Sequence, residues 1–241
     1  MATSSKGRRY KTAFILGAGL GIRLRPLTER CPKPLLEIKG RPMITYAMDH
    51  LLTIGVDRFI INTHHCPEAY RERFPDLQWR GVPIILKHEP VLLDTAGGLK
   101  NIEDLLCDDD ALCCYNGDVF ADFPLQRLLE THEHARPEAT LALRSSGLPL
   151  NVSVDERGWI CDIRHVLRNS GIRNCLFTGI YIVEKSIFQF IQHGKIQSVI
   201  PLFLQRIVEN PGSIRGIIID DGQWHDIGSI ESYERLKEQP D

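Results

Sequence analysis

This chain of 241 residues has little excess of charge of one sign, no long apolar run and no C-x-x-C cysteine pair. The formal net charge is −2, so no excess favours a nucleic-acid backbone or an anionic membrane as a partner. No apolar run approaches the roughly 18 residues of a membrane span. The run behind the basic N-terminus, Thr12–Leu16, is too short for a signal peptide. We therefore expect a cytoplasmic protein whose residues 1–10 are disordered.

The seven cysteines argue against two kinds of site. Their number is odd and no C-x-x-C pair occurs. This pattern favours reduced, mostly buried thiols over a zinc site or a redox pair. His64 and His65 are sequence neighbours rather than an i,i+4 pair, so we interpret them as structural. Residues 108–110, three aspartates, are expected to form a solvated acidic loop.

Short apolar runs alternate with helical patterns in the first half of the chain. This βαβ order predicts right-handed crossovers and a mostly parallel sheet flanked by helices, which is an α/β fold. The predicted strands are Thr12–Leu16, Arg58–Asn62, Pro83–Lys87 and Ala111–Tyr115. The predicted helices are Pro42–Leu52, Pro67–Phe74, Thr95–Leu106 and Pro124–His134.

After about residue 139 the pattern changes to closely spaced strands separated by turn residues. The runs ATLALR, VSVDERGWICDI and LFTGIYIV predict antiparallel pairing, with a hairpin turn at Asp155–Gly158. Helices near 185–193 and 198–209 and a strand over Ser213–Ile219 are expected to follow. The whole of 11–241 reads as a single domain.

The glycine-rich stretch GAGLGIRLRPLTERCPKPLLEIKG, residues 17–40, follows the first predicted strand. A dinucleotide fingerprint would need glycine at position 22, where the chain has Ile22. A hydrolytic P-loop would need Gly-Lys followed by Ser or Thr, which the chain lacks. Glycines let a backbone approach a phosphate chain closely, and Arg23, Arg25 and Lys33 add positive charge.

The same stretch resembles the signature of the sugar-1-phosphate nucleotidylyltransferases, also called NDP-sugar pyrophosphorylases. That signature is roughly G-x-G-T-R-L-x-P-L-T followed by P-K-P, and LGAGLGIRLRPLTERCPKPLL departs from it where Ile22 replaces the usual threonine. The similarity covers about residues 11–238. The segment F-T-G at 177–179 is similar to short family members, such as those acting on N-acetylmuramate or mannose 1-phosphate.

The family fold is a Rossmann-like, mostly parallel central sheet flanked by helices, with an antiparallel sugar-binding subregion. The resemblance thus implies a nucleotide-binding half, 11–138, and a sugar-binding half, 139–241.

The resemblance also implies roles for particular residues. Asp118 and Asp226 would hold Mg²⁺, and Arg23, Lys33 and Asp118 would be the catalytic residues. The implied nucleotide contacts are Leu16, Gly17, Ala18, Gly19, Gly21, Arg23, Lys33, Glu89, Thr95, Gly97, Gly98 and Asn116. The implied sugar contacts are Asn151, Thr178 and Gly179. The cation that meets the sugar phosphate is not identified; the candidates are Arg144, Arg164, Arg168 and Arg173.

The implied reaction transfers a nucleotidyl group from UTP or GTP to a sugar 1-phosphate and releases pyrophosphate. These substrates are the expected partners, and a homo-oligomer is compatible with the sequence. Two alternatives stay open. A cytidylyltransferase for phosphocholine or another alcohol phosphate would need an aromatic cage, for which Trp159, Phe177 and Tyr181 are available. A non-catalytic sugar-nucleotide sensor would be expected to lack a metal carboxylate or the lysine.

Overall fold

The computed structural model of the protein describes residues 10–106 and 111–238. Residues 1–9 of the predicted disordered segment, the predicted acidic loop at 108–110 and Cys107 lie outside the described residues. Tyr10, which ends the predicted segment, is buried, and its ring packs edge-on against His132. In the part of the chain that is described, no helix has the length and apolar character needed to cross a membrane.

The described residues form strands, α-helices and short 3-10 helices. The strands are β1 (Thr12–Leu16), β2 (Glu37–Ile38), β3 (Arg41–Pro42), β4 (Arg58–Thr63), β5 (Gln78–Trp79), β6 (Val82–His88), β7 (Ala111–Asn116), β8 (Val119–Ala121), β9 (Ala139–Arg144), β10 (Val152–Val154), β11 (Ile160–Ile163), β12 (Arg173–Glu184), β13 (Ile214–Ile218) and β14 (Trp224–Asp226). The α-helices are α1 (Ile44–Leu52), α2 (Glu68–Arg73), α3 (Asp94–Asn101), α4 (Leu125–Ala135), α5 (Val199–Glu209) and α6 (Ile230–Glu238). The 3-10 helices are Ile22–Leu24, Lys33–Leu35, Glu103–Leu105 and Lys185–Phe190.

A parallel core runs through the middle of the main sheet in the order β7-β1-β4-β6. These strands are apolar because helices cover both of their faces. Along β1, Ile15 faces a cluster that includes α1 and α4, whereas Phe14 faces the cluster that includes α3 and α5. The predicted α/β fold with a mostly parallel sheet is confirmed, and the predicted bounds of β1 match the structure.

The antiparallel part of the sheet is built around the long strand β12. The end of β12 near Ile180–Glu184 pairs with β7, and its beginning near Arg173–Cys175 pairs with β10. Since β12 runs antiparallel to β7, the β10–β11 hairpin projects beyond the carboxyl edge of the parallel strands. The predicted helix near 185–193 is instead a 3-10 helix, Lys185–Phe190. Helix α6 was not predicted, and its buried residues Tyr233 and Leu236 join a third apolar cluster.

A separate two-stranded ladder joins distant parts of the chain. Strand β8 follows β7 directly, and β14 pairs with it antiparallel, so that Asp226 lies opposite Val119. The Ile227 N–H also donates to the Asp118 carbonyl at 3.1 Å. This ladder therefore fixes Asp226 beside the segment that carries Asp118.

His50 fastens α1 to the sheet and makes the stability of the fold depend on pH. Its Nε2 lies 2.5 Å from the Phe123 carbonyl, which can only accept, so Nε2 carries the proton and Nδ1 accepts from the Tyr115 hydroxyl at 3.1 Å. Burial lowers the pKa of His50. The histidine of the unfolded chain takes up a second proton, at Nδ1, more readily than the buried one does. The contribution of neutral His50 to the stability of the fold is therefore complete above about pH 6.5 and falls as the pH drops below it.

We expect the free energy of unfolding to fall by up to about 1 kcal/mol on this account between pH 6.5 and 5.5. Urea titrations at pH 7.5, 6.5 and 5.5 would measure the fall. The variant His50→Gln, which cannot titrate, separates this contribution from that of other groups. Equal slopes for the two proteins would contradict the assignment.

Candidate active site

A cavity of about 370 Å³ opens at the carboxyl edge of the parallel strands. Such edges are where open α/β sheets bind their ligands. The cavity extends from the end of β7, past β1 and β4, to the end of β6 and the start of α3. Three strand spacings make its length about 14 Å. Its lining residues are Leu16, Ala18, Gly19, Lys33, Pro34, Asn62, Glu89, Leu92, Asp94, Thr95, Asn116, Asp118 and Ile196.

The glycines of the loop after β1 serve different purposes. A Cβ at Gly17 would lie 2.6 Å from the Tyr70 hydroxyl, so this glycine is required by packing against the protein. Gly21 has a left-handed φ of 62°, and a Cβ there would lie 2.9 Å from Thr28. Only Gly19 among the three lines the cavity and leaves open space where a Cβ would stand. The loop therefore presents bare backbone to the cavity at Gly19.

Lys33 and Asp118 form an ion pair at the β7 end of the cavity. The Lys33 Nζ lies 2.6 Å from Asp118 Oδ2. Lys33 stands on a short 3-10 helix and its side chain is only 9% exposed, whereas that of Asp118 is 32% exposed. Gly117, just before Asp118, lies against the end of β1, because a Cβ there would lie 2.5 Å from the Leu16 carbonyl oxygen. A lysine with a buried stem and a carboxylate open to the cavity are therefore held in contact.

Asp226 supplies a second carboxylate beside this pair. Partial desolvation raises the pKa of Asp226, and the neighbouring Asp118 carboxylate raises it further, whereas Lys33 and Arg23 oppose the rise. Asp226 is exposed and does not line the cavity, whereas Asp118 does. Two neighbouring carboxylates that repel each other make a site suited to a cation.

Arg23 lies at the rim of the cleft, on the 3-10 helix Ile22–Leu24. Its guanidinium passes close to the backbone of Gly228, since a Cβ at Gly228 would lie 3.2 Å from Arg23 Nη1. The side chain is exposed, as is that of Ile22, which stands where the family signature has threonine. Arg23 is thus placed beside Asp226 rather than in the wall of the cavity.

At the opposite end, the start of α3 is fixed by the segment before α5. The amides of Ala96 and Gly97 donate to the Gln197 carbonyl at 2.8 and 3.0 Å, and Thr95 Oγ1 accepts from the Val199 amide at 2.8 Å. Gly97 and Gly98 lie behind the cavity, and a Cβ at either would meet protein atoms within 3.0 Å. Of the three predicted contacts Thr95, Gly97 and Gly98, only Thr95 lines the cavity.

The predicted sugar contacts belong to the antiparallel part of the fold. Thr178 is buried, and its hydroxyl donates to the Ala142 carbonyl at 2.8 Å within an irregularity between β9 and β12. Gly179 has a φ of 79°, and a Cβ there would lie 2.5 Å from the side-chain nitrogen of Asn116. Gly179 therefore makes room for Asn116, which lines the cavity. Asn151 lies outside the cavity wall, and its carbonyl accepts from the Arg164 amide.

Of the four candidate cations for a sugar phosphate, Arg144 is engaged within the protein. Its guanidinium donates to four backbone carbonyls of the loop that follows β13, at residues 219–222. Arg164 and Arg168 are exposed on the segment between β11 and β12, Arg173 is exposed at the start of β12, and none of the three lines the cavity.

A protein-family model described as nucleotidyl transferase matches residues 12–240. The chain belongs to the nucleotidyl transferase family. Mannose-1-phosphate guanylyltransferase of Mycobacterium tuberculosis is 30% identical over 227 residues, which cover 92% of this chain and 62% of that protein. Mannose-1-phosphate guanyltransferase of Yarrowia lipolytica is 35% identical over 183 residues, covering 74% and 50%. This nucleotidyl transferase chain therefore spans half to three-fifths of the length of these curated relatives.

A solved structure gives the same fold. The putative glucose-1-phosphate thymidylyltransferase from Bacillus anthracis superposes with a TM-score of 0.80 at 21% identity, covering 95% of this chain and 94% of that one. The resemblance of the glycine-rich stretch to nucleotidylyltransferases is thereby confirmed at the level of the family and the fold.

The carboxylates of this nucleotidyl transferase fit a magnesium ion bound together with phosphate. Mg²⁺ prefers one or two carboxylates, with water and substrate phosphate oxygens filling the remaining positions. Asp118 and Asp226 supply two, and among the described residues no group of three or more His, Cys, Asp or Glu forms a site made by the protein alone. An ion here would depend on the nucleotide for its other ligands.

Several cavity residues have no counterpart in the sequence expectations. Asn62, Leu92, Asp94, Ile196 and Pro34 line the wall, but none of them was predicted as a contact. For Asp94 the sequence did hold a signal, because it directly precedes Thr-Ala-Gly-Gly. In the structure its φ is 62°, a left-handed conformation in which asparagine and aspartate are enriched among non-glycine residues. Ile196 gave no signal, because it reaches the cavity from a segment more than a hundred positions from Asp94.

Proposed function

We propose that this chain is a sugar-1-phosphate nucleotidylyltransferase, with Mg²⁺ as its cofactor. The observation that carries the proposal is the Lys33–Asp118 ion pair at the cavity, with Asp226 brought alongside Asp118 by the pairing of β14 with β8. The reaction needs no covalent nucleophile, since a sugar-phosphate oxygen attacks the α-phosphorus in line and pyrophosphate leaves. Positioning and charge neutralisation are then the main tasks of the site.

Each part of the site has a task in that reaction. Lys33 and Arg23 neutralise the triphosphate, and the Gly19 backbone lets it approach β1. Asp118 and Asp226 would hold Mg²⁺, which supplies charge stabilisation at the reacting phosphate oxygens. The base lies about 14 Å away at the β6 end, against the apolar Leu92 and Ile196.

Two features favour this enzyme over the alternatives. The aromatic residues needed for a choline cage are used elsewhere: Tyr181 is buried against Phe177 and Phe203, and the Trp159 ring receives the Arg215 guanidinium at 5.0 Å. A sensor would be free to lose the charged triad, whereas Lys33, Asp118 and Asp226 are together here.

GTP and mannose 1-phosphate are the substrate pair that we place first. The mannose-1-phosphate guanylyltransferase activity for which both relatives are named suggests this pair. The Asp94 carboxylate at the mouth also suits guanine, whose N1–H and N2–H₂ donors lie side by side, whereas uracil offers a single ring donor. The six described cysteines carry free thiols, which supports the cytoplasm as the compartment.

Pyrophosphate release with Mg²⁺, across four NTPs and the 1-phosphates of mannose, glucose, N-acetylmuramate and a heptose, tests the proposal. Turnover with one pair establishes the reaction and its substrates together. Nucleotide binding by calorimetry without turnover on any pair would support the sensor instead. Turnover of CTP with phosphocholine, added to the same grid, would support the other alternative.

Asp94 should control the choice of base. We expect Asp94→Gly, which keeps the left-handed backbone but removes the carboxylate, to reduce the preference for GTP over UTP in kcat/KM by about 10- to 100-fold, since hydrogen bonds to a charged group contribute about 1.5–3 kcal/mol. Asp76→Gly, at an exposed loop position, is the control. An unchanged GTP:UTP ratio in Asp94→Gly would remove Asp94 from base selection.

A further inference from the structure

Two buried polar side chains connect the two ends of the cavity. Glu89 is fully buried at the end of β6, and Asn62 is 3% exposed at the carboxyl end of β4. The Asn62 side-chain Nδ2 donates to Glu89 Oε1 at 2.7 Å. A Cβ at Gly98 would lie 3.0 Å from both of these atoms, so the pair fills the space that a side chain there would need. Although nearly fully buried, both side chains line the wall of the cavity.

Each member of the pair also holds backbone that borders the cavity. Glu89 Oε2 accepts from the Leu93 amide at 3.0 Å, and Leu93 lies between the cavity residues Leu92 and Asp94. Asn62 Oδ1 accepts from the Gly17 amide at 2.7 Å. Gly17 precedes Ala18 and Gly19, which line the phosphate end. One unbroken chain of hydrogen bonds thus runs from the turn at the base end to the glycine loop.

This chain of hydrogen bonds from Leu93 through Glu89 and Asn62 to Gly17, here called the relay, has little freedom to change its geometry. Gly17 is fixed on both sides, because its carbonyl accepts from the Tyr70 hydroxyl at 3.1 Å and its amide donates to Asn62. The Asn62 amide oxygen and nitrogen are both used, and a buried polar group left without its partner costs about 1–3 kcal/mol. If the turn at Leu93 moves, Gly17 must therefore move with it for these buried hydrogen bonds to be kept.

We propose that Glu89 and Asn62 are positioning residues that couple the docking of the base to the geometry of the phosphate loop. The inference rests on the proposed function. A base that packs against Leu92 and Asp94 fixes the position of the turn at Leu93. The turn then fixes the Glu89 side chain, which through Asn62 fixes the position of the Gly17 amide. Base identity is then expressed in kcat as well as in KM, because only the correct base brings the loop to its reactive position. Glu89 thus also serves the nucleotide through the protein, by holding the turn at Leu93.

A nucleoside without phosphates isolates this coupling from catalysis. Guanosine and uridine, each at saturating concentration, are added to the intact chain, and amide hydrogen exchange is followed at residues 17–21. We expect the better-binding nucleoside to slow exchange in the loop by fivefold or more, and the part of this effect that Asn62 transmits is measured with a variant. In Asn62→Leu, which has similar size and no hydrogen bonds, that protection is lost while protection near residues 92–95 persists.

Tyr70→Phe is the matched control, since it removes the other bond to Gly17 without touching Glu89. It should lower kcat equally for GTP and UTP, whereas Asn62→Leu should lower the GTP:UTP ratio of kcat by fivefold or more. If thermal unfolding shows that Asn62→Leu is misfolded, Asn62→Ala is used in its place. Loop protection that survives in the Asn62 variant, or no protection by either nucleoside in the wild type, overturns the relay. Absence of turnover in the wild type, with loop protection intact, would instead contradict only the proposed function.

Discussion

Replacing Asp118 by alanine lowers kcat by about 100-fold or more, which corresponds to a loss of about 3 kcal/mol or more of transition-state stabilisation. The variant removes a carboxylate that would hold Mg²⁺, and it also removes the partner of Lys33 at 2.6 Å. Because this side chain is partly open to the cavity, the fold should keep most of its stability. Pyrophosphate release at saturating NTP and sugar 1-phosphate measures the effect.

The control for Asp118→Ala is Glu133→Gln, which neutralises an exposed carboxylate on α4, outside the cavity wall. It should leave kcat unchanged. A titration with Mg²⁺ adds a second readout, since Asp118→Asn should need a higher metal concentration for half-maximal rate. Near-normal turnover of the alanine variant would mean that Asp118 is a structural partner of Lys33 and no more.

Lys33→Met should reduce kcat/KM by about 100-fold through the loss of a charge that the triphosphate and the leaving pyrophosphate both require. Methionine resembles the buried stem in size, so the 3-10 helix Lys33–Leu35 should stay packed. The substitution also releases Asp118 from its ion pair, which should tighten the binding of Mn²⁺ to the enzyme without nucleotide.

Initial-rate kinetics and Mn²⁺ titration followed by electron paramagnetic resonance measure these two effects separately. Lys11→Met is the control, because Lys11 is an exposed lysine beside the amino end of β1, opposite the cavity. If Lys33→Met changed neither the rate nor the affinity for Mn²⁺, Lys33 would have no part in the site.

The sequence was most informative where local chemistry and fold agree. The run Thr12–Leu16 is apolar because both sheet faces are covered, so its strand could be predicted to the residue. Lys33 and Asp118 were predicted as site residues through the resemblance to the family, and the structure places them 2.6 Å apart. Helix α6 was missed because its many charged residues obscure the two side chains that it buries, Tyr233 and Leu236.

Other parts of the site depend on contacts that no local pattern encodes. Asn62 ends an ordinary strand, and its importance lies in partners 45 and 27 positions away, Gly17 and Glu89. Gly97 looks like backbone left bare for a ligand, yet its missing side chain is explained by the Lys195 carbonyl, 2.5 Å from where a Cβ would stand. A glycine required by packing and one required by a ligand look identical in sequence.

The pairing of β14 with β8 has a consequence for the life of the protein in the cell. Because synthesis proceeds from the N-terminus and domains fold as their chain emerges, the parallel core and the glycine loop can be complete while Asp226 is still unmade. An unfinished or clipped chain would be able to hold a nucleotide but would have only one carboxylate for the cation. The ladder therefore makes the second carboxylate depend on the docking of β14 against β8.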